Sequence, residues 1–314
     1  MARRINIKFN FLNGMNIIGH KKLFLSFSLI ITLLSIASIV AFGFHQGIDF
    51  KGGTLWQLRI AEGEPNFKEI DGFLKENLKN VGEIRLSYNQ SENIFIARFG
   101  VASEAEHQEF LKAVLAKYPT ANELSFESIG PSVGEKLRKN ALVAIGLVLV
   151  GISLFIAFAF RKTSRPISSW KYGWVTLLTL FHDIIIPAGL LAYLGYLGKG
   201  EIDSNFVVAL LVVMGFSVHD TIVIFDRIRE NLLHSRGKTD FAEIINTSVN
   251  QTIARSINTS LTLILVLLAL FFFGPITLKY FVLTLLVGVT TGAYSSIFVA
   301  SPLLLIWQNL KKPA

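Results

Sequence analysis

Six stretches of this chain are apolar for long enough to cross a bilayer: Leu23–Phe44, Ala141–Phe160, Trp174–Leu197, Phe206–Phe225, Ile257–Phe273 and Phe281–Trp307. Crossing needs roughly 20 consecutive mostly apolar residues. Lipid offers no partner to backbone N–H and C=O groups, so each stretch is predicted to be a helix. Between the first two stretches the pattern changes. Gly53–Ile60, Glu83–Tyr88, Asn93–Phe99 and Leu124–Ile129 read as strands, and the residues around Asn89–Glu92 as a hairpin turn. In Asn66–Asn80 the apolar positions Phe67, Ile70, Phe73, Leu74 and Leu78 fall at helical spacing. Ser103–Lys117 does the same with Phe110, Leu111, Val114 and Leu115. The order β-α-β-β-α-β is the ferredoxin-like pattern. The expected architecture is therefore a multi-pass α-helical membrane protein, with six transmembrane helices and one α+β ferredoxin-like extracytoplasmic domain between helices 1 and 2.

Charge gives this layout a direction. The chain has 30 Lys+Arg and 22 Asp+Glu, a formal net charge of +8. Residues 45–139 carry a small acidic excess, so the basic residues concentrate beside the spans. They lie in the N-terminal segment (Arg3, Arg4, Lys8, Lys21, Lys22), after span two (Arg161, Lys162, Arg165, Lys171), after span four (Arg227, Arg229, Arg236, Lys238, Arg255) and in the tail (Lys311, Lys312). With six spans all four segments fall on one side, which the positive-inside bias makes the cytoplasm. The expected organisation is a cytoplasmic segment 1–22, transmembrane helix 1 over 23–44, a periplasmic domain over 45–139, a five-helix region over 140–310 and a cytoplasmic tail 311–314. Within it, residues 227–255 form a cytoplasmic loop, in which Phe241, Ile244, Ile245 and Val249 fit either an amphipathic helix at the membrane surface or a plain helical connector. The acidic balance of the outside domain argues against nucleic-acid binding. The absence of cysteine excludes disulfides, thiolate metal sites and a Cys nucleophile. No P-loop, zinc signature or nucleophile elbow is present, so no enzyme activity, metal or cofactor is expected. Gly52-Gly53 and Gly130–Gly134 read as turns, and Gly288, Gly292 and Ser296 as a close-packing face of span six.

The chemistry is expected inside the membrane, where ionisable groups are costly and mark function. Asp183 follows His182 in span three. Asp220 follows His219 in span four, roughly 8 Å from the cytoplasmic end of the apolar layer at about 1.5 Å per residue. Ser217, Asp220, Thr221 and Ile224 share one helix face. Span five opens with Arg255, Asn258, Thr259 and Thr262, which could meet that face. Asp226 reads as an interfacial anchor. Burial disfavours an ionised carboxylate and a nearby guanidinium favours it, so a moving Asp–Arg pair could load and release a proton. The histidines could tune or relay it. The same residues could instead be polar glue between helices, and an Asp with hydroxyl neighbours could serve sodium.

Six short motifs add a resemblance. They are Gly47-Ile-Asp-Phe-Lys-Gly-Gly53, Gly130-Pro-Ser-Val-Gly134, Phe181-His-Asp183, the run Gly215–Asn231, Asn246–Ser260 and Gly288–Phe298. In this order they resemble the SecF family of protein-export membrane proteins, in the resistance–nodulation–division-like group. The resemblance implies an accessory subunit of the Sec translocase in the bacterial inner membrane, using the proton motive force with SecD to promote translocation and release of polypeptides. It implies SecD, the SecYEG channel, YajC, unfolded exported polypeptide and membrane lipids as partners. It places the family's key acid on Asp220, its key arginine on Arg255 and its third-span Asp on Asp183. His219 stands where the family has Asn, Ser256 where it has Thr, and Ala293 where it has Thr. The rival readings are an exporter of small molecules or lipids with this architecture, and a translocon scaffold without ion coupling.

The charge bias predicts that alkaline phosphatase fused within residues 45–139 is active, while a fusion after residue 235 or at the C-terminus is not. An active C-terminal fusion would overturn the six-span topology.

Overall fold

The computed structural model describes residue 14 and residues 16–60, 67–78, 81–89, 93–161, 168–235 and 238–309. Two compact units are present: Gln46–Val143, and residues up to His45 together with those from Ala144 onward.

The smaller unit starts with a short helix α2 (Ile48–Lys51), following α1 (Lys21–Phe42) in the larger one. Its strands are β1 (Gly53–Ile60), β2 (Arg85–Asn89), β3 (Ile94–Phe99) and β4 (Ala121–Ile129), and its longer helices α3 (Phe67–Asn77) and α4 (Glu104–Lys117). The sheet order is β2-β3-β1-β4, with the three pairings antiparallel. Thus the β-α-β-β-α-β pattern closes as expected, with Trp56, Leu58, Ile70, Leu74, Phe95, Phe110 and Val114 in its core. β4 starts three residues before the predicted Leu124. The reason is a bulge: the register slips between Gln57 and Leu58, so Gln57 faces Ser125 and Leu58 faces Glu123. The slip turns Glu123 to the helix side, where it accepts a hydrogen bond from Trp56 Nε1 at 2.7 Å and lies 2.6 Å from His107 Nε2. α4 starts on a capping box: the Glu106 carboxylate accepts from the Ser103 amide at 2.7 Å, and the Ser103 hydroxyl faces the Glu106 amide. That bond from the Ser103 backbone holds the Glu106 carboxyl below its ordinary range. The hairpin residues 90–92 and the helix ends at 66 and 79–80 lie outside the described residues.

The two glycine motifs meet. Gly52 and Gly53 have φ of +79° and +124°, which glycine adopts at little steric cost. Pro131 opens α5 (Pro131–Ala159), and Gly134 in its first turn lies against Gly52 N and Phe50 O, where a Cβ would sit 3.1 Å from each. The expectation of a turn over Gly130–Gly134 is therefore corrected. Proline suits the first helical position, where its missing N–H costs nothing, so the helix starts there, ahead of its apolar stretch.

The larger unit holds α6 (Ser169–Tyr196), α7 (Ser204–Ser235), α8 (Phe241–Phe273) and a last span of α9 (Lys279–Ser295), a π turn (Ser296–Ala300) and α10 (Ser301–Asn309). With α1 and α5 this makes six helices long and apolar enough to cross a membrane. α6 is the most enclosed of them, while α1 and α5 are mostly exposed. Small residues set the tight contacts: the Ser38 hydroxyl of α1 donates to the Gly189 carbonyl of α6 at 2.8 Å. The predicted face of span six packs on α7, with Gly288 against Val213 and Gly292 against Ser217. Most of the segment 227–255 is helix, as both readings of it expect: α7 runs on to Ser235 and α8 starts at Phe241. Ile244, Ile245 and Val249 are buried and do not rest on a membrane surface; Ile245 and Val249 share a core with Ile17, Ile18, Phe225 and Ile228. Asn246 Oδ1 accepts from the Ile17 and Ile18 amides at 2.9 and 3.3 Å.

Gly53→Ala would place a Cβ 2.8 Å from the Phe99 carbonyl at a positive φ. It is expected to destabilise the Gln46–Val143 unit by about 1–3 kcal/mol. The urea concentration at which that unit of the full chain becomes protease-sensitive should fall. Gly146→Ala, which meets open space in α5, should leave it unchanged.

Candidate functional site

The polar interior of the bundle is organised around Asp183 of α6, which is wholly buried. Its Oδ1 lies 2.8 Å from His182 Nδ1. Its Oδ2 accepts from the Ser217 hydroxyl of α7 at 2.5 Å and from the Ser295 hydroxyl of α9 at 2.7 Å. Three helices thus converge on one carboxylate. One turn later Pro187 interrupts the helix. Proline has no N–H to offer the carbonyl four residues back, which is that of Asp183 itself.

Next to this centre lies a hydroxyl pair. Thr221 of α7 and Ser296 of the π turn are 3.0 Å apart, and both are buried. Ser296 also donates to the Gly292 carbonyl at 2.9 Å and reaches the Ser217 carbonyl at 3.3 Å. Pro302 explains the π turn. It cannot donate to Phe298, four residues earlier, and wider winding over Ser296–Ala300 takes up the mismatch.

Asp220 lies on the same buried face of α7 as Ser217 and Thr221, as their spacing predicts. Its surroundings differ. Ser256 of α8 is its neighbour across the helix contact. Yet Asp220 Oδ2 and Ser256 Oγ both lack a hydrogen-bond partner among the described residues. Two buried carboxylates therefore occupy one helix bundle, one held by two hydroxyls and a histidine and one with a free oxygen.

The expected meeting of the span-five stripe with α7 does not form. Arg255, Asn258, Thr259 and Thr262 are exposed on α8. Thr259 and Thr262 donate to carbonyls of their own helix, at Arg255 and Asn258. The face turned inward carries Ser248, Thr252, Ser256 and Ser260. Ile245, Val249 and Ile253 belong to the core and fix the rotation of α8. Extending their spacing along the helix gives Thr252, Ser256 and Ser260, a signal present in the sequence. His219 is exposed, while His182 is buried on Asp183. Asp226 is exposed and pairs with Arg229 at 3.4 Å, as suits an interfacial anchor. Sequence reasoning did not find Ser295, because nothing in a run of two serines says which one meets an acid in another helix.

The C-terminal model of the protein-export membrane proteins SecD/SecF matches residues 110–310, which include both buried acids. The chain belongs to the SecD/SecF family. The family's GG motif matches residues 37–60, which include the Gly52-Gly53 pair. Among the relatives, the protein translocase subunit SecF of Thermobaculum terrenum is 40% identical, with 94% of each chain covered. That of Sebaldella termitidis is 36% identical over 93% of this chain and 92% of its own. The SecDF subunit of Thermus thermophilus is 35% identical over 95% of this chain. The chain spans 39% of that longer SecDF protein. A crystal structure of SecDF, described as a translocon-associated membrane protein, matches with a TM-score of 0.77 at 34% identity, over 98% of this chain and 40% of that one. As a SecD/SecF family member with six apolar helices, the chain is a multi-pass protein of the bacterial inner membrane.

Proposed function

We propose that this chain is the SecF-type subunit of a protein translocase, and that it couples proton movement at its buried carboxylates to the export of polypeptides together with a SecD-type partner. The observation that carries the reading is Asp220. It is 3% exposed, lies in an apolar span and leaves Oδ2 unpartnered. A buried ionised carboxylate without donors is costly, so this group has most to gain from a proton or an opposing cation.

The outward stripe of α8 supplies the second half of the reading. Arg255 and Asn258 on the exposed face of a spanning helix call for a second protein chain rather than lipid. The Thermus relative carries its SecF-like part within a longer SecDF chain, which supports a SecD-type partner covering that stripe. The basic segments beside the spans support cytoplasmic termini and an outer position for residues 45–139. There the domain would meet the emerging polypeptide while the SecYEG channel delivers it. Asp183, with His182 and Ser217, acts as the second acid of the pathway. A proton crossing about 100 mV releases about 2.3 kcal/mol, so a large movement draws on several protons.

The test is Asp220→Asn, alongside Arg255→Ala, in membrane vesicles with the partner subunit and at wild-type protein levels. Asp220→Asn is expected to abolish the gradient-dependent part of export completion while co-purification of the partner is kept. Arg255→Ala, which removes an exposed side chain, is expected to leave the folding of this chain unchanged and to reduce gradient-dependent export. Full gradient dependence in Asp220→Asn would refute proton carriage by that residue and leave a scaffold role.

A further inference from the structure

The last span begins its π turn at the two serines that touch the polar centre. Ser295 closes α9 and Ser296 opens the π turn. Ser295 donates to Asp183 Oδ2 at 2.7 Å, and its hydroxyl also lies 3.2 Å from the Gly292 carbonyl of its own helix. Ser296 donates to that same carbonyl at 2.9 Å and lies 3.0 Å from Thr221, the residue next to Asp220. A single carbonyl, Gly292, therefore stands between the hydroxyl on Asp183 and the hydroxyl that meets Thr221.

We propose that Ser295 and Ser296 are positioning residues that connect Asp183 to the start of the π turn and set the register of the last span by the protonation of Asp183. The inference rests on the proton-coupled reading above. With Asp183 ionised, Oδ2 accepts from both Ser217 and Ser295. A proton arriving on Oδ2 makes an O–H that must itself donate. Ser295 can receive it, because the Ser295 hydrogen has a second acceptor in the Gly292 carbonyl. Ser217 has no second acceptor of this kind among the described hydrogen bonds. The Ser295 hydrogen then competes with Ser296 for Gly292. Ser296 is pushed onto its other contacts, the Ser217 carbonyl and Thr221. Serine hydroxyls bonded to carbonyls one turn back bend helices, and here the exchange falls where Pro302 has already loosened the winding. The groups facing Asp183 are His182 from its own helix, Ser217 from α7 and Ser295 from α9.

The chain has no cysteine, so introduced pairs report without background. Phe298 lies in the π turn, and its ring centroid is 4.5 Å from that of Phe24 in α1. The experiment follows the rate of cross-linking of a Phe24→Cys/Phe298→Cys pair by a short thiol-to-thiol reagent, in the full chain with its partner in membranes. Asp183→Asn serves as the protonated-acid mimic, since its amide donates where the proton would. Asp183→Asn is expected to change the rate roughly threefold or more, the low end of coupling between linked sites. Ser295→Ala and Ser295→Gly should abolish that difference, and Ser295→Thr, which keeps the hydroxyl, should retain it. If Asp183→Asn leaves the rate unchanged, or the difference survives both Ser295→Ala and Ser295→Gly, the link is refuted. Neither readout needs export to occur. A cross-linking change with gradient-dependent export intact in Asp183→Asn would keep the link and remove Asp183 from the proton pathway.

Discussion

Asp183 is a carboxylate with no water-facing surface, and the middle of the bundle is arranged to satisfy it. Leaving such a group without donors in an apolar interior costs several kcal/mol. Here α7 and α9 each bring a hydroxyl to Oδ2, and His182 lies on Oδ1. The close approach this demands fits the glycines of the last span, whose contacts with Val213 and Ser217 leave no room for a larger side chain. It also fits the two proline interruptions, one a turn beyond Asp183 and one just past the serines. Satisfying one charge thereby fixes the mutual placement of α6, α7 and α9.

Against that fixed point Asp220 stands out by its free oxygen. An acid surrounded by hydrogen-bonding partners is held in place by them, whereas an acid beside a single unpaired serine has little to hold it. The two acids share a helix bundle, and a short series of hydroxyls leads from Asp183 to Thr221. A partner chain over the exposed stripe of α8 would bring new polar groups to the same level of the membrane. The pair of acids and the uncovered stripe are the two features on which the proposed proton coupling and partner rest.

Much of this was legible in the residues themselves. The six spans follow from hydropathy alone, and the strand–helix order from periods of two and of about 3.6. The buried face of α7 follows from the spacing of Ser217, Asp220 and Thr221. Three things were not legible. α8 carries two polar stripes one position apart, and only the packing of Ile245, Val249 and Ile253 chooses between them. The span helices run past their apolar stretches, because polar residues such as those of 131–140 and 226–235 continue a helix when its ends are capped or packed elsewhere. The role of Ser295 depends on a contact across more than a hundred residues, and no local pattern encodes it.

The central claim is that Asp183 is the satisfied, structure-bearing acid and Asp220 the unsatisfied one. It is tested most directly by comparing Asp183→Leu with Asp220→Leu in an unfolding titration by sodium dodecyl sulfate in mixed micelles. Asp183→Leu strands the donors on α6, α7 and α9 and should lower stability by about 3 kcal/mol or more. Asp220→Leu removes a carboxylate that has no donor on Oδ2 and should stay within about 1 kcal/mol of wild type or exceed it. Equal losses, or a larger loss for Asp220→Leu, would contradict the account.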